Sequence, residues 1–185
     1  MFRITLVALL SALGIASFVY ANQPARSPYA GEETRGIKSL SDREVQDYLA
    51  GRGMGLAKAA ELNHYPGPAH VLELGDRLVL SPEQKSRTQT LFKAMETRAK
   101  ELGKSVVEQE TRLDRMFASR QISREQLKSG LAEIARLQGE LRQAHLEAHL
   151  TQAEILTHEQ IAKYVELRGY GSGAAAGDDT SAHKH

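Results

Sequence analysis

Leu80-Ser81-Pro82-Glu83-Gln84 and Leu156-Thr157-His158-Glu159-Gln160 decide the fold of this chain. In each, a hydroxyl side chain stands at the N-cap and a Gln three residues later reaches back to the cap's own N–H, so each stretch starts a helix. Pro82 falls at the first helical position, where its missing N–H costs nothing. From Pro82 to about Ser119 there is no internal proline, and Gly103 is the weak point. Phe92, Met95, Ala99, Leu102, Val106, Gln109, Leu113 and Met116 recur at alternating spacings of three and four residues, which makes a coiled-coil-like seam. A turn at Arg120 to Ile122 precedes a third capping box, Ser123-Arg124-Glu125-Gln126, and a second long helix to about Ile155. Leu127, Leu131, Ile134, Leu141 and Ile155 share one face of it, with Leu137, Ala144 and Ala148 alongside. So short a connection makes the pair an antiparallel hairpin, and the fold class is all-α.

The second long helix is also apolar on another side, through Leu146, Leu150 and Ala153. A helix apolar on two sides is covered on two sides. The cover is the last helix (Ile161, Tyr164, Leu167), the Met54 to Leu78 segment, or a second subunit. Two long helices make a thin core, so a homodimer of packed or intertwined hairpins is expected.

Outward from the hairpin, Ser41-Asp42-Arg43-Glu44 is a capping box that opens a short helix to about Ala50. Gly51-Arg52-Gly53-Met54-Gly55 is not a phosphate loop, because no apolar strand precedes it and no Lys-Ser/Thr follows. It reads as a bend before a second short helix, Leu56 to Leu62, stopped by Asn63 and Pro66-Gly67-Pro68. His70 to Leu78 carries Val71, Leu72, Leu74 and Leu78 at amphipathic spacing and reads as another short helix.

Both ends read differently. Arg3 followed by the apolar run Ile4 to Val19 and by Val19-Tyr20-Ala21 has the order of a secretory signal, residues 1–21, with an uncleaved membrane anchor as the alternative. Residues 22–40, with Pro24, Pro28, Gly31 and Gly36, read as a flexible tether. Residues 41–78 hold the short helices, 79–168 the hairpin domain, and 169–185 a small-residue tail expected to be disordered. The address that follows is the periplasm, either free or tethered to the inner membrane by the N-terminal run.

Composition excludes several functions. A net charge of +1, with no basic stretch interleaved with aromatics, argues against nucleic acid. With no Cys, neither a disulfide nor a thiolate metal site is available. No Ser or Thr is set in a strained turn beside a His, so an enzyme is not expected.

Two copies of an LTxxQ-type start bracketing a helical hairpin, in a chain with an export signal and no Cys, resemble the Spy/CpxP superfamily of periplasmic stress proteins, which is related to the ZraP and CnrX heavy-metal resistance and sensor proteins. Ser81 stands where the motif's first Thr would be, and His158 where Pro is frequent; both preserve the cap. The resemblance covers roughly Leu78 to Arg168. It implies an all-helical homodimer that holds unfolded envelope clients without ATP, damps a membrane stress sensor, or binds transition metals.

Leu80, Ser81, Gln84, Leu156, Thr157 and Gln160 are on this reading structural helix-cap residues. The residues point to two kinds of ligand. His145 and His149 stand four apart on one helix face, the spacing that presents two imidazoles to one metal. His70 and Glu73, three apart, would add ligands from the covering segment, and pairing about the turn brings Met95 opposite. No cofactor is required by this reading, and nickel, cobalt, zinc or copper would suit such a set. From Pro82 to Arg120 there are also nine Lys/Arg against six acids. Lys85, Lys93, Arg98, Lys100 and Lys104 are the candidate client-binding cations; an ordinary solvated face with pairs such as Glu96–Lys100 is the alternative. Chaperone-like client binding is the first functional expectation, and periplasmic heavy-metal binding the second.

Overall fold

The computed structural model describes residues 26–170. The signal or anchor segment and the tail from Gly171 onward lie outside them. The chain divides after Gly31, and all helices of the described residues belong to the unit that begins at Glu32. They are α1 (Asp42–Leu49), α2 (Lys58–Glu61), α3 (Pro68–Glu73), α4 (Pro82–Ala118), α5 (Arg124–Ile155) and α6 (His158–Leu167). The fold is all-α, built on the long pair α4 and α5. None of the described helices is long and apolar enough to cross a membrane.

Four of the six helices begin with a complete capping box. Ser41, Ser81, Ser123 and Thr157 each accept from the backbone N–H three residues on, and Glu44, Gln84, Gln126 and Gln160 each accept from the cap's own N–H. Each cap is worth about 1 kcal/mol and sets where its helix begins. Gly169, at φ 76°, then ends α6.

The two motif glutamines do more than cap. Gln84 Nε2 donates to Gln160 Oε1 at 2.8 Å, and Gln160 Nε2 donates to Gln84 Oε1 at 3.0 Å. Each amide also donates to a carbonyl before the other's helix, Gln84 to Ile155 O at 3.0 Å and Gln160 to Leu78 O at 3.2 Å. With the cap bonds from Ser81 N and Thr157 N, both side chains have partners for donor and acceptor alike. The segments that start α4 and α6 are thereby locked side to side. Capping alone does not require this arrangement.

Ala99, Leu102 and Val106 of α4 meet Leu137 and Leu141 of α5 in one buried cluster, with Tyr48, Leu56 and Ala144 packed against it. Burying a leucine in this way contributes about 2 kcal/mol. A second cluster, Val71, Leu78, Leu156 and Tyr164, joins the α3 region to α6. Toward the hairpin turn the seam runs through Gly130, where an added Cβ would meet Leu113 Cδ1 at 3.9 Å. Leu131, expected on the core face, is one position off that line and 50% exposed. On the other side of α5, Leu150 is 52% exposed, and the residues buried in its last turns are His145, Ala148, His149, Gln152 and Ile155.

Gly103 is no weak point. A Cβ there would lie 2.1 Å from the Tyr48 carbonyl oxygen, so the missing side chain is what lets α1 lie against α4. The stretch read as a tether also ends in contact with α4. Lys38 binds Asp114 through its backbone N–H (3.2 Å) and its ammonium (3.3 Å), Ser39 Oγ donates to Glu110 at 2.8 Å, and Leu40 is buried.

Candidate metal centre

The short helices and α4–α5 enclose an open cavity of about 600 Å³. Its walls come from distant parts of the chain: the Gly51–Gly55 bend with Met54, Glu61 of α2, Gly67 to His70, Phe92 and Met95 of α4, His145 and His149 of α5, and Tyr170 after α6. Three imidazoles, the carboxylates of Glu61 and Glu96 and two thioethers therefore line one mostly apolar space, with Arg52 and Lys58 also on its wall.

Two of the imidazoles, His149 and His70, are held in a way that leaves a nitrogen lone pair available. His149 is 8% exposed, and its Nδ1 lies 2.8 Å from the Tyr65 carbonyl oxygen. A carbonyl only accepts, so Nδ1 carries the proton and Nε2 is the free acceptor. Gly67 makes room for the ring, since a Cβ there would meet His149 Cε1 at 2.9 Å. His70 Nδ1 lies 3.1 Å from Glu73 Oε2, which fixes its tautomer in the same sense. Metal-binding histidines are oriented by carbonyl and carboxylate partners of this kind. His145 is 4% exposed, and its Nε2 is buried without a hydrogen-bond partner among the described residues. Burial, aided by the neighbouring His149, holds the His145 pKa below the usual imidazole value, which keeps the ring neutral and able to ligate.

Glu61 supplies the negative charge. Its Oε1 accepts from Tyr164 OH at 2.7 Å, Tyr170 OH at 2.8 Å and Arg168 Nε at 3.2 Å. Its Oε2 is buried without a hydrogen-bond partner among the described residues and lies 3.7 Å from His149 Nδ1. Burial works to raise the Glu61 pKa, but the two tyrosine hydrogen bonds, with the charges of His70 and Arg168, outweigh it and leave the carboxyl below its ordinary value.

These side chains suit a transition-metal ion: imidazole, carboxylate and thioether together, with two buried polar atoms, Glu61 Oε2 and His145 Nε2, that have no hydrogen-bond partner among the described residues. Among the described residues no group of three or more His, Asp or Glu is already gathered tightly enough to hold a metal ion. The ligands share a cavity, and a cation would have to draw them together.

Of the residues singled out in the sequence, His70, His145, His149 and Met95 all reach this cavity. Glu73 does not line it; it is exposed and hydrogen-bonds His70 from outside. Glu61, Met54 and Gly67 were not anticipated. Glu61 sits in a short, weakly patterned helix, and its partners lie more than a hundred residues away, so no local spacing marks it.

The candidate client-binding face looks more ordinary. Arg98 pairs with Glu140 at 2.9 Å and lies 3.8 Å from Glu101, Lys100 pairs with Glu96 at 3.0 Å, and Lys104 lies 3.8 Å from Glu108. The Lys85 and Lys93 side chains have no ion-pair partner among the described residues.

The described residues thus form an all-helical hairpin with an imidazole-lined cavity beside it. The model of the heavy-metal resistance family matches residues 52–163, more than half of the chain and the whole of this cavity except Ala50, Gly51 and Tyr170. The chain belongs to that family, which stands with the Spy/CpxP-like helical proteins, ZraP and CnrX among them. No curated protein and no solved structure matches it.

Proposed function

We propose that this protein is a periplasmic, non-enzymatic heavy-metal-binding protein that takes up a transition-metal ion in the cavity between the short helices and the α4–α5 hairpin. The observation that carries the reading is His145, whose buried Nε2 has no hydrogen-bond partner among the described residues and which lines a cavity together with His70 and His149. An unpaired buried polar atom costs about 1–3 kcal/mol, a cost that a bound cation removes. His145 and His149 are the first ligands on this reading, with His70 supplied from α3 and held by Glu73. Met54 and Met95 favour the softer end of the nickel, cobalt, zinc and copper series.

Calorimetric titration of the mature chain with salts of those four metals tests the proposal. At least one should bind, and His145→Ala combined with His149→Ala should abolish that binding. A wild-type chain that binds none of them ends the metal reading.

Chaperone-like capture of unfolded envelope proteins, or damping of a membrane stress sensor, draws less support. Three of its five candidate cations are already engaged with acids of the same chain. What favours it is the apolar exposure of Phe117, Leu131 and Leu150, surface that a client or a second copy of the chain would cover. The expected homodimer belongs to this proposal too. Suppression of a client's aggregation at stoichiometric amounts of the purified chain would bring the chaperone reading forward.

A further inference from the structure

We infer that Glu61 couples cation binding in the cavity to the segment that closes α6, through a clasp made by Tyr164, Arg168 and Tyr170. The inference rests on the proposed metal binding and extends it from a site to a signal.

Glu61 belongs to both arrangements. One oxygen, Oε2, is buried beside His149 with no hydrogen-bond partner among the described residues. The other, Oε1, takes three donors from the C-terminal side: Tyr164 OH, Tyr170 OH and Arg168 Nε. Those donors are linked to one another, because Arg168 Nη2 donates to Tyr170 OH at 3.3 Å and its guanidinium lies over the Tyr170 ring at 5.8 Å. Tyr164 OH also accepts from Gly67 N at 3.3 Å, two residues beyond the carbonyl that orients His149. Tyr170 itself forms part of the cavity wall.

Hydrogen bonds to a carboxylate owe their extra strength to its negative charge. A divalent cation drawn to Oε2 shares that charge, so the bonds at Oε1 weaken. It also places positive charge near the Arg168 guanidinium, which the same carboxylate now attracts. Cation binding therefore loosens the clasp, and Arg168 and Tyr170 are its output. Coupling is reciprocal: removing the clasp must tighten cation binding by the same factor that the cation loosens the clasp. Glu61 is in this account both an anionic ligand and a positioning residue.

The test uses the full mature chain and the metal salts alone. Tyr170→Phe removes one donor and keeps the ring, so it should bind the metal more tightly by about fivefold or more, the lower end of ordinary coupling. Glu61→Gln keeps the shape, loses the charge, and should weaken binding. Saturating metal should speed amide hydrogen exchange at Arg168 to Tyr170 in the wild type and have no such effect in Glu61→Gln. A wild type whose exchange at those residues is unchanged by a metal that binds, or a Tyr170→Phe chain with unchanged affinity, overturns the coupling and leaves the metal site standing. A wild type that binds none of the metals overturns both. Should Glu61→Gln fail to fold, the Tyr170→Phe affinity and the wild-type exchange decide the matter by themselves.

Discussion

Replacing Gly103 by Ala tests the packing of α1 on the hairpin, because the sign of the effect depends on that packing. In an unobstructed helix interior, Gly→Ala stabilises by about 1 kcal/mol, as the chain loses less backbone freedom on folding. Gly139 of α5 is such a position: a Cβ there meets nothing within 4 Å among the described residues. At Gly103 the new Cβ would lie 2.1 Å from the Tyr48 carbonyl oxygen and 2.7 Å from its carbonyl carbon. An ordinary carbon-to-oxygen contact is about 3.3 Å, so α1 must retreat by about 1 Å. The obstacle is backbone, which no rotamer change relieves, and the retreat strains the packing of Tyr48 on Leu102 and its neighbours. Overpacking of this kind costs about 1–3 kcal/mol, and a backbone clash belongs near the top of that range. After the helix-propensity gain, Gly103→Ala should lose about 2 kcal/mol, while Gly139→Ala gains about 1 kcal/mol. In thermal melts followed at 222 nm, about 2–4 °C per kcal/mol separates the two variants by about 6–12 °C, on opposite sides of the wild type. A Gly103→Ala chain that melts above the wild type, as Gly139→Ala should, would falsify the docking of α1.

Two further outcomes follow from buried polar groups. In urea unfolding, a double-mutant cycle of Gln84→Ala and Gln160→Ala should give a coupling energy of about 1–2 kcal/mol, since each single change already breaks both reciprocal amide bonds; simple additivity would show that the amides act separately. For metal-free protein, the lowered His145 pKa makes the unfolded chain take up a proton first as the pH falls below about 6.5. The stability associated with the neutral ring is therefore complete above that pH and lost below it. His145→Leu should flatten the decline in stability from pH 7 to pH 5, and an unchanged slope would mean that burial does not control this imidazole.

Helix starts were legible because capping is local. Ser41, Ser81, Ser123 and Thr157 each declare a boundary within four residues, and the long helices run where the seam spacing places them. The short helices were less so: the region read as helical to Leu78 stops at Glu73, and α2 keeps only Lys58–Glu61. A turn or two of helix takes its limits from what it packs against. Gly103 and Gly67 show the same boundary of inference from the other side. Their significance lies in a carbonyl or an imidazole brought up from far along the chain, whereas sequence records only a break in helix propensity. At the cavity, i,i+4 spacing marked His145 and His149, but Glu61 and its tyrosines meet only once α6 is docked.

The paired amides of Gln84 and Gln160 separate durability from responsiveness. Neither side chain ionises, so acid does not disrupt their bonds, and with no net charge there is little for salt to screen. His145, an ionisable ring whose pKa burial lowers, has neither immunity. A protein exposed to changing surroundings can thus keep its helix ends in register through a neutral fastener while the chemistry a few turns away follows the medium.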